Sequence, residues 1–61
     1  MKDYKQLLVR LRAKLNISQE KLAILLKVSF ATINRWENGI SVPSKIHIVQ
    51  IEDLCKKYKV I

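Results

Sequence analysis

Gln19-Glu-Lys-Leu-Ala-Ile-Leu-Leu-Lys-Val-Ser-Phe-Ala-Thr-Ile-Asn-Arg-Trp36 is the stretch that decides the fold of this chain. It reads as two short helices joined by a tight turn. Leu22, Ala23, Leu26, Val28, Ile33 and Trp36 recur at helical spacing and form an inward apolar face. The outward face of the second helix is small and hydrogen-bonding. A helix of that kind suits the major groove of DNA, provided another helix braces it there.

Local signals bound the two helices. Ser18 reads as an N-cap, with Glu20 in the first turn that follows. Lys27-Val28 is the turn, Ser29 caps the next helix, and that helix runs to Glu37-Asn38, where Gly39 stops it. Upstream, the helical period holds from Lys2 to about Lys14, with Tyr4, Leu8, Leu11 and Leu15 on one stripe, until Asn16-Ile17 breaks it. Downstream, Ile40 to Ser44 is a loop, and Pro43 suits the first turn of a last helix. That helix covers about 44–58, with His47, Ile48, Ile51, Leu54, Cys55 and Tyr58 on its stripe. No repeat, low-complexity segment or linker interrupts the pattern. The expected fold is all-α: a small bundle of four, or five, short helices in one domain over 1–61, with a helix-turn-helix at about 18–38.

Bulk properties narrow the function classes. Sixty-one residues allow one domain with a single small core. One Gly and one Pro argue against a turn-rich β fold. The lone Cys55 excludes an internal disulfide framework. No apolar run approaches the roughly 20 residues that span a bilayer, and Lys21 and Lys27 bracket the longest one. The charged, amphipathic start does not read as a secretory signal, so a cytoplasmic location is expected. A net charge of +7 points to an anionic partner, nucleic acid foremost. Charge alone would equally fit an acidic membrane surface or simple solubility.

With Ile33 and Trp36 as the buried edge, a step of about 100° per residue turns Ala31, Asn34, Arg35 and Asn38 away from the core. Phe30 lies on the flank. Asn matches adenine, Arg matches guanine, and Ala31 or Phe30 could touch a thymine methyl. The competing reading is an ordinary solvated helix face. Arg12 shares the apolar side of the first helix, where an unpaired charge is costly. Glu37, on the inner flank of the third helix, is its expected partner, against an Arg12 that snorkels to water.

The stretches Ile17 to Ala23, Val28 to Gly39 and Pro43-Ser44 resemble the phage-repressor-like helix-turn-helix domains, the Cro/C1-type or XRE family, across Leu11 to Ser44. The resemblance implies sequence-specific binding of double-stranded DNA, a repressor-like transcriptional role in a prokaryotic or phage setting at the nucleoid, and action as a dimer. Carried over by position, it implies a phosphate contact from Gln19. It places base-edge contacts around Ser29, Phe30, Ala31, Asn34 and Arg35, and backbone contacts at Asn38, Ser41, Ser44 and Lys45. It implies the Arg12–Glu37 pairing as well. Two departures stand out. Lys27 occupies the turn position usually held by Gly, at a cost on the order of 1 kcal/mol if φ is positive there, while adding a cation on the DNA side. Phe30 stands where a polar or Arg side chain is common, so base preference cannot be borrowed from a relative.

Other residues read plainly. Trp36 belongs to the core by its spacing from Ile33. Cys55 and His47 lie two turns apart on one core stripe, which makes a catalytic pair an unfavourable reading, and one Cys with one His is too few ligands for a metal. Gly39 stands alone, so no phosphate loop is present. No cofactor and no small-molecule ligand are expected. Ile24, Ile46 and Val49 face outward, and Val60-Ile61 follow the last helix. A single copy reads only one half-site, so a homodimer through Ile46, Val49, Val60 and Ile61 is expected, binding two half-sites. The rival is an adaptor or antitoxin-like module whose apolar patch meets another protein. A membrane-surface peptide formed by Lys2 to Leu15 is a third reading, opposed by the turn motif and the acid-bearing last helix.

Overall fold

The described helices share one terminating device, and it sets how each feeds into the next. The computed structural model describes residues 3–60. Its helices are α1 (Tyr4–Leu15), α2 (Gln19–Leu26), α3 (Phe30–Glu37) and α4 (Lys45–Lys57). At the end of each, one residue adopts the left-handed conformation: Asn16 (φ 56°), Lys27 (φ 58°), Gly39 (φ 74°) and Lys59 (φ 59°). The next N–H then reaches back into the last turn. Ile17 donates to the Arg12 carbonyl at 3.1 Å, Val28 to Ala23 at 3.0 Å, Ile40 to Arg35 at 2.9 Å and Val60 to Cys55 at 2.7 Å. These bonds satisfy carbonyls the helix leaves open, and an apolar residue just beyond seals the end. Ile17, Val28 and Val60 pack against the core in this way. Ile40 does not; it remains 73% exposed.

Caps start the helices. The side chains of Asp3, Ser18 and Ser29 accept from the backbone N–H of Gln6, Lys21 and Thr32 at 3.3, 3.1 and 3.1 Å. The Asp3 cap starts α1 at Tyr4, with Lys2 outside the described residues. Pro43 departs from expectation. Ser44 takes the extended capping conformation (ψ 167°), so α4 begins at Lys45. Pro43 therefore precedes the cap, buried in the loop where its missing N–H costs nothing.

Leu7, Leu8 and Leu11 of α1 meet Leu22, Ala23 and Leu26 of α2, Ile33 and Trp36 of α3, and Ile51 and Cys55 of α4 in one core. Leu7 widens the α1 stripe beyond the expected positions. One hydrogen bond and one ring contact further tie α4 to the rest of the bundle. The Tyr4 hydroxyl donates to Glu52 Oε2 at 3.5 Å, and the His47 ring lies 5.3 Å from the Trp36 ring. Among the described residues there is no fifth helix, and no helix is long and apolar enough to cross a membrane.

Lys27 holds its left-handed backbone without the freedom of Gly. Replacing it by Gly removes a steric cost of about 1 kcal/mol but loosens the unfolded chain, which offsets part of the gain. Lys27→Gly is expected to raise the melting temperature by about 2–4 °C, a net gain of about 0.5 kcal/mol. Circular dichroism would read it, and an unchanged or lower midpoint would mean that strain at Lys27 is no larger than the unfolded-chain entropy that Gly adds.

Candidate nucleic-acid interface

The surface centred on α3 is built from the inside outward. Ile33 is fully buried, and Trp36 and Glu37 are nearly so. That seats one side of this two-turn helix and leaves the opposite side clear. Phe30, Ala31, Arg35 and Asn38 are exposed, and Asn34 is half-buried. Ser29 is committed to its cap, since its hydroxyl also pairs with Thr32 Oγ1 at 2.8 Å. No hydrogen bond or ion pair among the described residues engages the Arg35 side chain, so it is free to reach outward.

The remaining candidates flank α3. Lys27 is exposed in the turn before it, and Ser41, Ser44 and Lys45 are exposed in the loop and first turn after it. Ser44 does not cap α4 with its side chain; its hydroxyl pairs instead with His47 Nδ1 at 2.8 Å. From Lys21 to Ile51 the sequence contains a single carboxylate, Glu37. The fold turns that one inward. Lys27, Arg35 and Lys45 are therefore not opposed by any carboxylate of this long segment, and the field above α3 favours an anion.

Glu37 meets Arg12 in a two-pronged ion pair. Arg12 Nε lies 2.7 Å from Glu37 Oε2, and Nη2 donates to Oε1 at 2.8 Å. The bonds tie α1 to α3 with the planar geometry that suits guanidinium and carboxylate. Burial alone pushes the Glu37 carboxyl up, but hydrogen bonds from Arg12 and Gln19, with the Arg12 charge, outweigh it and hold it below its ordinary range. The same hydrogen bond raises the Arg12 guanidinium against the opposing effect of burial.

A carboxyl depressed in the folded state stabilises above its unfolded value and loses that stabilisation as pH falls. Compared with Glu37→Gln, the native protein should hold its largest thermal advantage near neutral pH. The gap should close as pH falls below 4.5, the ordinary value for this carboxyl. Melting curves from neutral to acid pH would show it; a gap that stays constant would mean that the Glu37 carboxyl titrates alike in the folded and unfolded chains.

Gln19 occupies a place the sequence does not disclose. Its Nε2 donates to Glu37 Oε1 at 3.0 Å, and its Oε1 accepts from Asn34 Nδ2 at 3.4 Å. Asn34 Oδ1 in turn accepts from Asn38 Nδ2 at 3.0 Å. A continuous polar chain thus runs from the buried ion pair to the outer face of α3. The only sequence signal for it was the co-occurrence of three amides and an acid around two helix ends.

The apolar surface divides. Ile24, Ile46 and Val49 are exposed, at 69%, 69% and 56%, and so are Ile40 and Val42 of the loop before α4, at 73% and 78%. Val60, expected at a dimer contact, is half-buried and packs against the protein's own core, with its N–H closing the end of α4. Ile61 lies outside the described residues. Cys55 is fully buried.

A family model described as helix-turn-helix matches residues 8–59 of this chain. No curated protein and no solved structure matches it.

Proposed function

The chain belongs to the Cro/C1-type helix-turn-helix family of DNA-binding domains, and from that premise we propose that it is a sequence-specific, repressor-like transcriptional regulator. The observation that carries the proposal is the orientation of α3. Ile33 and Trp36 are buried while Phe30, Ala31 and Arg35 stand clear of the protein. In this reading Ser29, Phe30, Ala31, Asn34 and Arg35 face base edges in the major groove. Gln19, Lys27, Asn38, Ser41, Ser44 and Lys45 hold the phosphate backbone on either side, which fixes register without reading sequence. The family binds DNA rather than catalysing reactions, and the proposed role has no enzymatic step, cofactor or small-molecule effector. The setting is the cytoplasm of a prokaryotic host or its phage.

We further infer that the protein acts as a homodimer on two half-sites. One α3 offers too few base contacts for strong discrimination, and a pair spaced about one DNA turn apart doubles them. Ile46 and Val49, exposed on the outer side of α4, are the apolar residues we assign to that contact. The same patch favours a second reading, an adaptor or antitoxin-like module that meets a different protein. Light scattering with and without a duplex separates the two: a dimer on DNA supports the regulator, and a monomer indifferent to any duplex supports the adaptor.

Titration with a duplex, followed by amide resonances, tests the placement. Shifts should concentrate at residues 27–45 and at Gln19, and weaken steeply with added salt as counterions are released. Shifts confined to Ile24 or to the outer side of α4 would contradict it.

A further inference from the structure

We propose that Glu37, acting through Gln19, fixes the donor and acceptor sense of the Asn34 side-chain amide and thereby sets discrimination at the base pair Asn34 faces. The inference rests on the DNA-binding reading above and concerns a buried carboxylate and a half-buried amide that touch no base.

A carboxamide can turn by half a revolution, exchanging its oxygen for its nitrogen with little change in shape. A base edge does not tolerate that exchange. Adenine offers an N6 amino donor and an N7 acceptor, so only one sense of an Asn amide pairs with both. An ionised carboxylate, by contrast, is an acceptor alone, whichever way it turns. In this protein the carboxylate stands at the head of the chain of bonds.

The side chain of Glu37 is 5% exposed, and its Oε2 and Oε1 both accept from Arg12. Oε1 accepts additionally from Gln19 Nε2 at 3.0 Å. Gln19 must therefore turn its NH2 inward and its carbonyl toward α3. That carbonyl can only accept, so Asn34 turns its NH2 to Gln19, at 3.4 Å. Asn34 Oδ1 is then left to accept from Asn38 Nδ2 at 3.0 Å. Each link inherits its sense from the one before, and the first cannot reverse while Glu37 is ionised.

The chain leaves Asn34 with one N–H and one oxygen lone pair unspent. That is the donor and acceptor set adenine requires, held in one sense before DNA arrives. Holding it removes the ordering that a freely turning amide would undergo on binding. Glu37 and Gln19 are positioning residues in this scheme. Gln19 still has a second Nε2 hydrogen for a phosphate, so the two roles are compatible.

Gln19→Met tests the link, because Met keeps the length of the side chain and removes its donor and acceptor. In the free native protein the two Asn34 side-chain amide protons should be well separated in a 15N-resolved spectrum. In Gln19→Met the separation should fall toward that of an exposed Asn, while the backbone spectrum confirms that the variant is folded. On DNA, the native protein should prefer its selected duplex over one altered at the Asn34-facing pair by on the order of tenfold. Gln19→Met should lose most of that ratio. In an Asn34→Ala background the same change should alter it no further, as expected of coupled residues.

Unchanged Asn34 protons in Gln19→Met would overturn the proposal. So would an equal loss of affinity for every duplex with the ratio intact, which is the signature of a phosphate contact alone. A native protein with no duplex preference would instead strike the DNA-binding reading, and the spectrum of the free protein would still decide whether Gln19 holds Asn34.

Discussion

Arg12→Ala should destabilise the protein by about 3–5 kcal/mol, the range for removing one partner of a buried ion pair, and Glu37→Ala by distinctly less. The asymmetry follows from exposure. The Arg12 side chain is 25% exposed and the Glu37 side chain 5%. Without Glu37, the Arg12 guanidinium can swing along its aliphatic stem to water, at a cost of about 1.5–3 kcal/mol for the charged hydrogen bonds lost. Without Arg12, the Glu37 carboxylate stays inside with only Gln19 to meet it, at 3.0 Å. It must then remain charged in poor surroundings or take up a proton.

A chain of this size has a few kcal/mol of net stability, on the order of 0.05–0.15 kcal/mol per residue. Arg12→Ala is therefore expected to leave a large unfolded fraction at 37 °C, whereas Glu37→Ala stays mostly folded. Replacing both, as Arg12→Met with Glu37→Leu, should recover most of the loss, since well-packed apolar pairs often match buried ion pairs. Urea unfolding at neutral pH would rank the three. Equal losses for the two single variants would mean that Glu37 is as free to reach water as Arg12.

Arg35→Ala addresses function without disturbing the fold. Arg35 is exposed and unengaged among the described residues, so its removal should change stability by no more than about 0.5 kcal/mol. Its expected cost to specific DNA binding is about 1–3 kcal/mol per half-site, with relaxed preference at one base pair, because Arg pairs with both acceptors of guanine. Fluorescence anisotropy on matched and singly altered duplexes would measure both. Loss of affinity that is uniform across sequences would assign Arg35 to the phosphates instead.

Much of the fold was legible because its signals are local. Ser18 and Ser29 announce helix starts by a hydroxyl that bonds three residues ahead. Gly39 and Asn16 announce stops by their ease in the left-handed conformation. Periodicity separates Ile33 and Trp36 from Arg35 without coordinates. Other features lie beyond such signals. Pro43 suits a first turn as well as the position before a cap, and only the extended conformation of Ser44 decides between them. Val60 reads as an exposed tail until the bond from its N–H to the Cys55 carbonyl is seen.

The interface was legible in composition but not in connectivity. Phe30, Ala31, Arg35 and Asn38 could be placed on one face by counting 100° steps. The tie from Glu37 to Gln19 to Asn34 joins residues 15 and 18 positions apart in the chain. It depends on the distance between the start of α2 and the C-terminal half of α3 and on side-chain rotamers, neither of which a pattern of apolar residues encodes. His47 is similar: its stripe predicts that it faces inward, but not that its Nδ1 meets the Ser44 hydroxyl.

Selection of bound duplexes from a random pool, with the unmodified protein, bears on the central claim most directly. The orientation of α3 predicts enrichment of a defined sequence, present as two related half-sites about one helical turn apart. A bound pool as random as the starting one, at salt low enough for non-specific binding, would mean that α3 reads no bases and would contradict the account.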